Sequence, residues 1–340
     1  MQAVVLVGGL GTRLRPLTAD TPKQMLPVVD RPMIEHVVAH LAGHGVTRVV
    51  LSLGFRPEAF IDAYPDGTCA GMPLHYSVEP EPLDTAGAVR FAAMDAGIDA
   101  TFLVLNGDVL TDLDVSAMVD GHRSSGALGT IALTEVDDPS RYGVVTLDLD
   151  GDEPGGGHGR VLGFVEKPPR DEAPSRWINA GTYVFESAVL DRIEGGRRVS
   201  IEREVFPALA DEGSLRAVRS DAYWLDTGTT EAYLRAQIDL IDGTRARMDP
   251  IADSADVADD AVVERAVVMA RAFVGPGARV CDAVLMEGAV VEAGGEVRDS
   301  VLGPGARVGR GATVTGWSLI GGGQVVDEGV IDGARIPDEG

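Results

Sequence analysis

The chain has 340 residues, 45% of them hydrophobic and 24% charged, which is the composition of an ordinary globular protein long enough for two domains. Twenty-nine basic side chains face 53 acidic ones, and the formal net charge of −24 excludes nucleic acid or an anionic membrane as partner, since both need a basic footprint. No apolar run approaches the ~18 residues of a membrane span, no leader peptide is expected, and Cys69 and Cys281 form neither a ligand cluster nor a disulfide framework, so a reducing cytoplasm is the expected compartment.

Gln2–Val7 is a continuous apolar run, as a buried parallel strand requires. Pro32 opens a helix expected through His44, with Gly45 near its end. A strand over Arg48–Leu53, a helix over Pro57–Ala63, a strand over Leu74–Val78, a helix over Thr85–Ala96 and a strand over Thr101–Asn106 continue the alternation. That pattern predicts βαβ units in a Rossmann-like, doubly wound α/β sheet. Asp112 and Asp114 read as caps of a helix over 115–125. From about 128 to 185 the strands lengthen and look antiparallel, so the sheet is expected to be mixed. Gly151–Gly159 reads as an exposed hairpin tip, and Thr229–Ile241 as the last helix of a domain spanning 1–244. An Asp- and Ala-rich linker over 245–260 follows. In 261–335 a six-residue period takes over: Val262, Val268, Val274 and Val280, then Leu302, Val308, Val314, Ile320 and Val326 after a register slip. Gly-Pro-Gly-Ala-Arg-Val occurs at 275–280 and again at 303–308. One inward aliphatic per flat face predicts a short left-handed hexapeptide β-helix of roughly four coils.

Arginine has nearly displaced lysine: only Lys23 and Lys167 remain beside 27 arginines. A compact ammonium and a planar guanidinium are not interchangeable at a tight phosphate site, which marks these two positions. The loop Val7-Gly8-Gly9-Leu10-Gly11-Thr12-Arg13-Leu14-Arg15 follows the first strand. Its glycines let backbone N–H groups turn toward an anion, and its arginines add fixed charge. It is neither the dinucleotide fingerprint nor a Walker loop. Asn106-Gly107-Asp108 closes an apolar strand, and carboxyl ends of such strands are where open α/β sheets bind ligands. A carboxylate there is a candidate magnesium ligand. Asp226, in Tyr223-Trp224-Leu225-Asp226-Thr227-Gly228, reads alone as a turn or cap residue and together with Asp108 as the other half of a metal site.

The set GGLGTRLRPLT, PKQMLPV, NGD, FVEKP, INAGTYVF and WLDTG, in this order over nearly the whole chain, resembles the sugar-1-phosphate nucleotidyltransferases. Within that family Ile178–Phe185 and Val199–Pro207 are most similar to the branch that transfers guanylyl to mannose 1-phosphate. The resemblance implies GTP and mannose 1-phosphate as substrates and GDP-mannose as product. The alternative is thymidylyl, uridylyl or adenylyl transfer to glucose 1-phosphate. It also implies roles. Gly8, Gly9, Gly11, Thr12 and Arg13 cradle the triphosphate, with Arg13 on the leaving pyrophosphate. Lys23 neutralises the phosphate under attack. Asp108 and Asp226 hold Mg2+, and Gly107 lies against the nucleotide. Lys167 binds the sugar phosphate, Glu166 the sugar hydroxyls, and Asn179 with the Gly181 backbone completes the sugar pocket. The base is read by Glu79–Gly87, including Asp84, Thr85 and Ala86. The family usually has glycine where this chain has Asp84. That carboxylate could accept from guanine's paired N–H donors or cap the helix beginning at Thr85.

Two other classes are weighed. A regulatory paralogue that binds nucleotide sugar without making it would have lost a motif aspartate or lysine, and here all are present. Acyl transfer, frequent on hexapeptide β-helices, needs a histidine base, yet His36, His40, His44, His75, His122 and His158 all precede the β-helix. His36, His40 and His44 stand at helical i, i+4 spacing, which suits one helix face more readily than a metal. Free edges of an exposed β-helix favour pairing between copies, so a homo-oligomer is expected.

Overall fold

A computed structural model describes residues 1–149 and 156–338, so of the expected hairpin tip at Gly151–Gly159, residues 151–155 lie outside the described residues. The chain forms two compact units, one of Met1–Gly8 with Glu35–Trp224 and the other of Gly9–Ile34 with Leu225 onward. Among the described residues no helix is long and apolar enough to cross a membrane.

The first unit carries a ten-stranded sheet. In spatial order its strands are Gly143–Leu149, Gly156–Glu166, Leu215–Ser220, Gly129–Glu135, Trp177–Phe185, Phe102–Asn106, Gln2–Leu6, Arg48–Leu53, Met72–Val78 and Thr68–Cys69. Gln2–Leu6 pairs in parallel with Arg48–Leu53 on one side and Phe102–Asn106 on the other. Strand order reverses there, which opens a crevice at the carboxyl ends of those strands, where Gly8 and Asp108 follow. Trp177–Phe185 runs antiparallel to both its neighbours, so the sheet is mixed, as expected. Helices Met33–Gly43, Pro57–Ala63, Asp84–Asp95 and Val115–Ser125 lie within two residues of the sequence reading, and a further short helix, Phe206–Asp211, was not among the expected elements. Small residues at Ala86, Ala92 and Ala93 let the Asp84–Asp95 helix lie close on the sheet, while Tyr183, Phe185 and Phe206 interlock with ring centroids 5.1–6.3 Å apart. Asp114 caps Val115–Ser125 by accepting from Ala117 N at 2.9 Å. The N-cap position is thus Asp114 and not Asp112, whose N–H donates to Tyr223 O at 3.0 Å.

In the second unit the hairpin Pro27–Val28 with Arg31–Pro32 packs on helix Thr230–Ile241. Thr229 caps that helix, and its buried Tyr233 and Gln237 hold the carbonyl of Pro27, with Val29 N donating back to Gln237 at 2.7 Å. Three parallel sheets of five strands follow. Partners are 17 residues apart: Val257, Val274, Val291 and Val308 stack in one column before an 18-residue step to Val326. The inward series Val268, Val274, Val280, Leu285, Val291, Val297, Leu302 therefore steps six, six, five. The five-residue side turns through left-handed corners at Asp282 and Asp299. This is the physical origin of the register slip. Two expectations change with it. Val263, not Val262, faces inward, because Val263 pairs with Val280 whereas Val262 pairs with exposed Arg279. Each sheet has five rungs rather than four, the first being Asp256–Val257, inside the stretch read as linker.

Candidate active site

In the second unit, Gly11 takes φ 57 and starts a short 3-10 turn over Thr12–Leu14, and Gly9 has φ 130. A Cβ at Gly11 would meet Thr18 Cγ2 at 3.2 Å and Lys23 Cβ at 3.3 Å. Thr18 Oγ1 donates to Gly11 O at 2.7 Å, tying the glycine loop to the turn that bears the lysine. Lys23 opens the turn Lys23–Met25 and is only 6% exposed. Its Nζ lies 3.9 Å from Asp226 Oδ1, and that carboxylate is 22% exposed. A buried ammonium is costly unless paired, so the pair makes Lys23 tolerable while leaving it near an open carboxylate. Gly228 completes this group. A Cβ there would fall 2.5 Å from Arg13 Nη2 and 2.9 Å from Asp226 Oδ1, so the guanidinium and carboxylate occupy the space that any other residue would fill. The structure thus brings Arg13, Lys23 and Asp226 together around two glycines. It is a charged cradle with the donors that a polyphosphate and its counter-ion call for.

In the first unit, Gly107 N donates to Leu6 O at 2.9 Å, and a Cβ at Gly107 would meet Val7 Cγ1 at 2.7 Å. Only glycine lets the chain turn there and place Asp108 just past the strand end. Lys167 takes φ 49 at the end of Gly156–Glu166, held by its N–H to Tyr142 O, and its Nζ lies 3.0 Å from Glu166 Oε1. Glu166 is 25% exposed and Lys167 63%. Asn179 Oδ1 accepts from Gly181 N at 2.9 Å and its Nδ2 donates to Tyr183 Oη at 2.9 Å. Gly181 sits at φ 75, and a Cβ there would come 2.7 Å from Asn106 Nδ2, so a side chain would strike the Asn106 amide. Trp224 Nε1 donates to Ala180 O at 2.8 Å, and its ring meets Tyr142 edge-on at 5.6 Å. Burial raises the Tyr183 hydroxyl well above its ordinary value, and the nearby carboxylates of Glu202, Glu166 and Asp108 add to the rise. That phenol therefore stays protonated.

The segment Glu79–Gly87 also lies in the first unit. Burial pushes the Glu79 carboxyl up, opposed by bonds from Leu83 N at 3.1 Å and Ser52 Oγ at 3.2 Å. Asp84 adopts φ 61, which explains why glycine suits this position and why aspartate, tolerant of the left-handed region, replaces it. It does not cap the helix in the usual way: Oδ1 accepts from the adjacent Thr85 N at 2.9 Å and Oδ2 from Arg203 Nη2 at 3.2 Å. Thr85 Oγ1 donates to Glu202 Oε2 at 2.8 Å. Sequence reasoning missed Gly228, Trp224, Tyr183, Glu202 and Arg203 as participants. All five lie in segments that the resemblance picks out, but nothing in the sequence shows that Glu202 and Arg203 meet Thr85 and Asp84, ~117 residues away.

Among the described residues no group of three or more His, Cys, Asp or Glu could hold a metal by itself. Magnesium does not need one, because it takes one or two carboxylates and completes its shell with water and phosphate oxygens. Asp226, partly open beside Lys23, fits that donor chemistry. His40 and His44 meet ring edge to face at 4.8 Å, and His44 Nδ1 pairs with Ser116 Oγ at 3.0 Å.

Residues 2–243 match the family model described as Nucleotidyl transferase, and residues 249–337 match that described as GMPPB C-terminal domain. The chain is 38% identical over 299 residues to a mannose-1-phosphate guanylyltransferase of Mycobacterium tuberculosis, covering 85% of this chain and 80% of that protein. It is 41% identical over 239 residues to a mannose-1-phosphate guanyltransferase of Gibberella zeae, covering 69% of this chain and 62% of that one, just under two thirds of its length. The crystal structure of HddC from Yersinia pseudotuberculosis complexed with GMP-PN aligns with a TM-score of 0.58 at 30% identity, over 69% of this chain and 97% of HddC.

Proposed function

We propose a function from a plain premise: the chain belongs to the nucleotidyl transferase family. Its reaction is transfer of a nucleoside monophosphate from a nucleoside triphosphate to a sugar 1-phosphate. The pair we assign is GTP with mannose 1-phosphate, giving GDP-mannose. A phosphate oxygen of the sugar phosphate attacks the α-phosphorus, the bond from that phosphorus to the α,β-bridging oxygen breaks, and pyrophosphate leaves in line. The nucleophile is already ionised at neutral pH, so no general base is required. Such transfers depend on positioning and charge neutralisation.

The observation that carries this reading is the cluster of Lys23, Asp226 and Arg13 around Gly228, in a chain otherwise almost free of lysine. Lys23 neutralises the phosphoryl group under attack. Arg13 with the Gly8, Gly9, Gly11 and Thr12 backbone takes the departing pyrophosphate. Asp108 and Asp226 are the carboxylates offered to magnesium, which when bound neutralises phosphate charge. Gly107 admits the nucleotide close to the strand end. Lys167 holds the sugar phosphate, and Glu166, Asn179 and the Gly181 backbone hold the sugar hydroxyls. Glu79, Asp84, Thr85 and Ala86 frame the base. The guanylyl assignment draws on the two relatives named for that transfer and on the GMP-PN complex of HddC. A cytoplasmic homo-oligomer completes the proposal.

The test is pyrophosphate release with magnesium, crossing GTP, dTTP, UTP and ATP against mannose and glucose 1-phosphates. Release mainly from GTP with mannose 1-phosphate is the expected result. Release from another pair would keep the mechanism and move the substrates. No release from folded protein in any pairing would overturn the reading.

A further inference from the structure

Segment Leu83–Gly87 is built against Val199–Arg203 bond by bond. Val199 N donates to Leu83 O at 3.0 Å, while Ala86 N and Gly87 N donate to Val199 O at 2.9 and 3.2 Å. Ile201 N donates to Thr85 Oγ1 at 2.8 Å, and Thr85 Oγ1 donates to Glu202, as does Ser200 Oγ at 2.9 Å. Gly87 has no room for a side chain, since a Cβ would come 3.1 Å from Arg197 O. Residues Ile201–Val205 form a π-helical turn, a wide geometry that recurs at functional positions. Its width presents Glu202 and Arg203 together to the start of the Asp84–Asp95 helix.

The two oxygens of Asp84 are already engaged, one by Thr85 N and the other by Arg203 Nη2. A carboxylate that read guanine's N1–H and N2–H would have to turn both oxygens to the base. The more exposed member of the pair is the arginine, at 67% against 25% for Asp84. One of its five N–H donors is fixed by Asp84, which orients the rest of the planar fork. The acceptor pair that such a fork matches is O6 and N7 of guanine. Adenine presents a donor in place of O6, and pyrimidines have no N7.

We infer that Arg203, anchored by Asp84, reads the O6/N7 edge of the guanine in the nucleoside triphosphate. Asp84 is then a positioning residue, acting through the guanidinium it holds. This rests on the guanylyl reading above and adds to it the residue and the base edge responsible.

The experiment measures kcat/KM for pyrophosphate release with GTP, ITP and 7-deaza-GTP at fixed mannose 1-phosphate. ITP lacks only the 2-amino group, and 7-deaza-GTP lacks only the N7 acceptor. In the unaltered protein 7-deaza-GTP is expected to fall about tenfold or more below GTP, carried by KM, with ITP close to GTP. Arg203→Gln should lower GTP to or below the level that the unaltered protein shows with 7-deaza-GTP and erase the difference between the two substrates. Asp84→Asn should shrink the same difference, whereas a merely structural role would lower all three substrates alike. Equal use of GTP and 7-deaza-GTP by the unaltered protein, or a loss confined to ITP, would overturn the assignment to Arg203 and leave guanylyl transfer standing. Turnover confined to a pyrimidine triphosphate would instead overturn the guanylyl reading, and this inference with it.

Discussion

Replacing Gly228 with alanine probes the charged cradle without disturbing the fold. Gly228 holds a backbone conformation open to any residue, so alanine adds a Cβ and no strain. That Cβ lands 2.5 Å from Arg13 Nη2 and 2.9 Å from Asp226 Oδ1. Ordinary contact begins at 3.4 Å, so the guanidinium must retreat by about 1 Å and the carboxylate by about half that. A displacement of about 1 Å at a reacting centre costs about 10²-fold, or ~2.7 kcal/mol of barrier. The arginine tip is flexible, so stability pays little, and alanine lowers the entropy of the unfolded chain by about 0.4–1 kcal/mol in the opposite direction. Steady-state pyrophosphate release should therefore fall about 10²-fold in kcat while the thermal midpoint holds or rises. Gly43→Ala, where the added Cβ meets nothing within 4 Å, serves as control and should keep full activity. Native-like kcat in Gly228→Ala, with an unchanged melt, would refute the argument that Arg13 and Asp226 act from the positions they occupy here.

Lys23→Arg tests whether an ammonium is required: Lys23 is 6% exposed with its Nζ 3.9 Å from Asp226 Oδ1, and a broad planar guanidinium does not replace a compact point charge at such a buried pair. We expect kcat to drop about 10²–10³-fold, and retention of more than about a tenth of activity would count against it. In the β-helix, Leu285→Ala empties a fully buried inward position and should cost about 2–5 kcal/mol by denaturant unfolding, whereas Val262→Ala, on the outward register, should change little. His122 is buried between Thr130 Oγ1 at 2.8 Å and Glu186 Oε1 at 3.1 Å, and burial holds its pKa below the ordinary value against the opposing pull of Glu186. The fold thus prefers the neutral ring. Its contribution is fully present above the ordinary histidine range and is lost as pH falls below about 6.5, where the unfolded chain takes the proton first. Melting curves from pH 7.5 to 5 should show a decline that is shallower in His122→Asn; parallel declines would remove His122 as the cause.

The sequence by itself determined the elements and the chemistry-bearing motifs. Apolar runs such as Gln2–Leu6 and Phe102–Asn106 become central strands because a strand covered on both faces has no polar side to show, and that is a local property of composition. The β-helix was legible for a related reason: each rung buries one aliphatic, so the period is written residue by residue. The sequence period of six could not reveal the six, six, five step, because shortening one side depends on which corners, at Asp282 and Asp299, take left-handed turns. Arg13, Lys23 and Asp226 could be named singly from their motifs, but their gathering around Gly228 needed the chain to bring residues ~200 positions apart within reach of one missing side chain. The pairing of Asp84 with Arg203 was beyond reading altogether. Each lies in a segment with its own motif signal, but nothing local links the two segments, and only the packing of a π-helical turn on the start of a distant helix sets a guanidinium beside a left-handed aspartate.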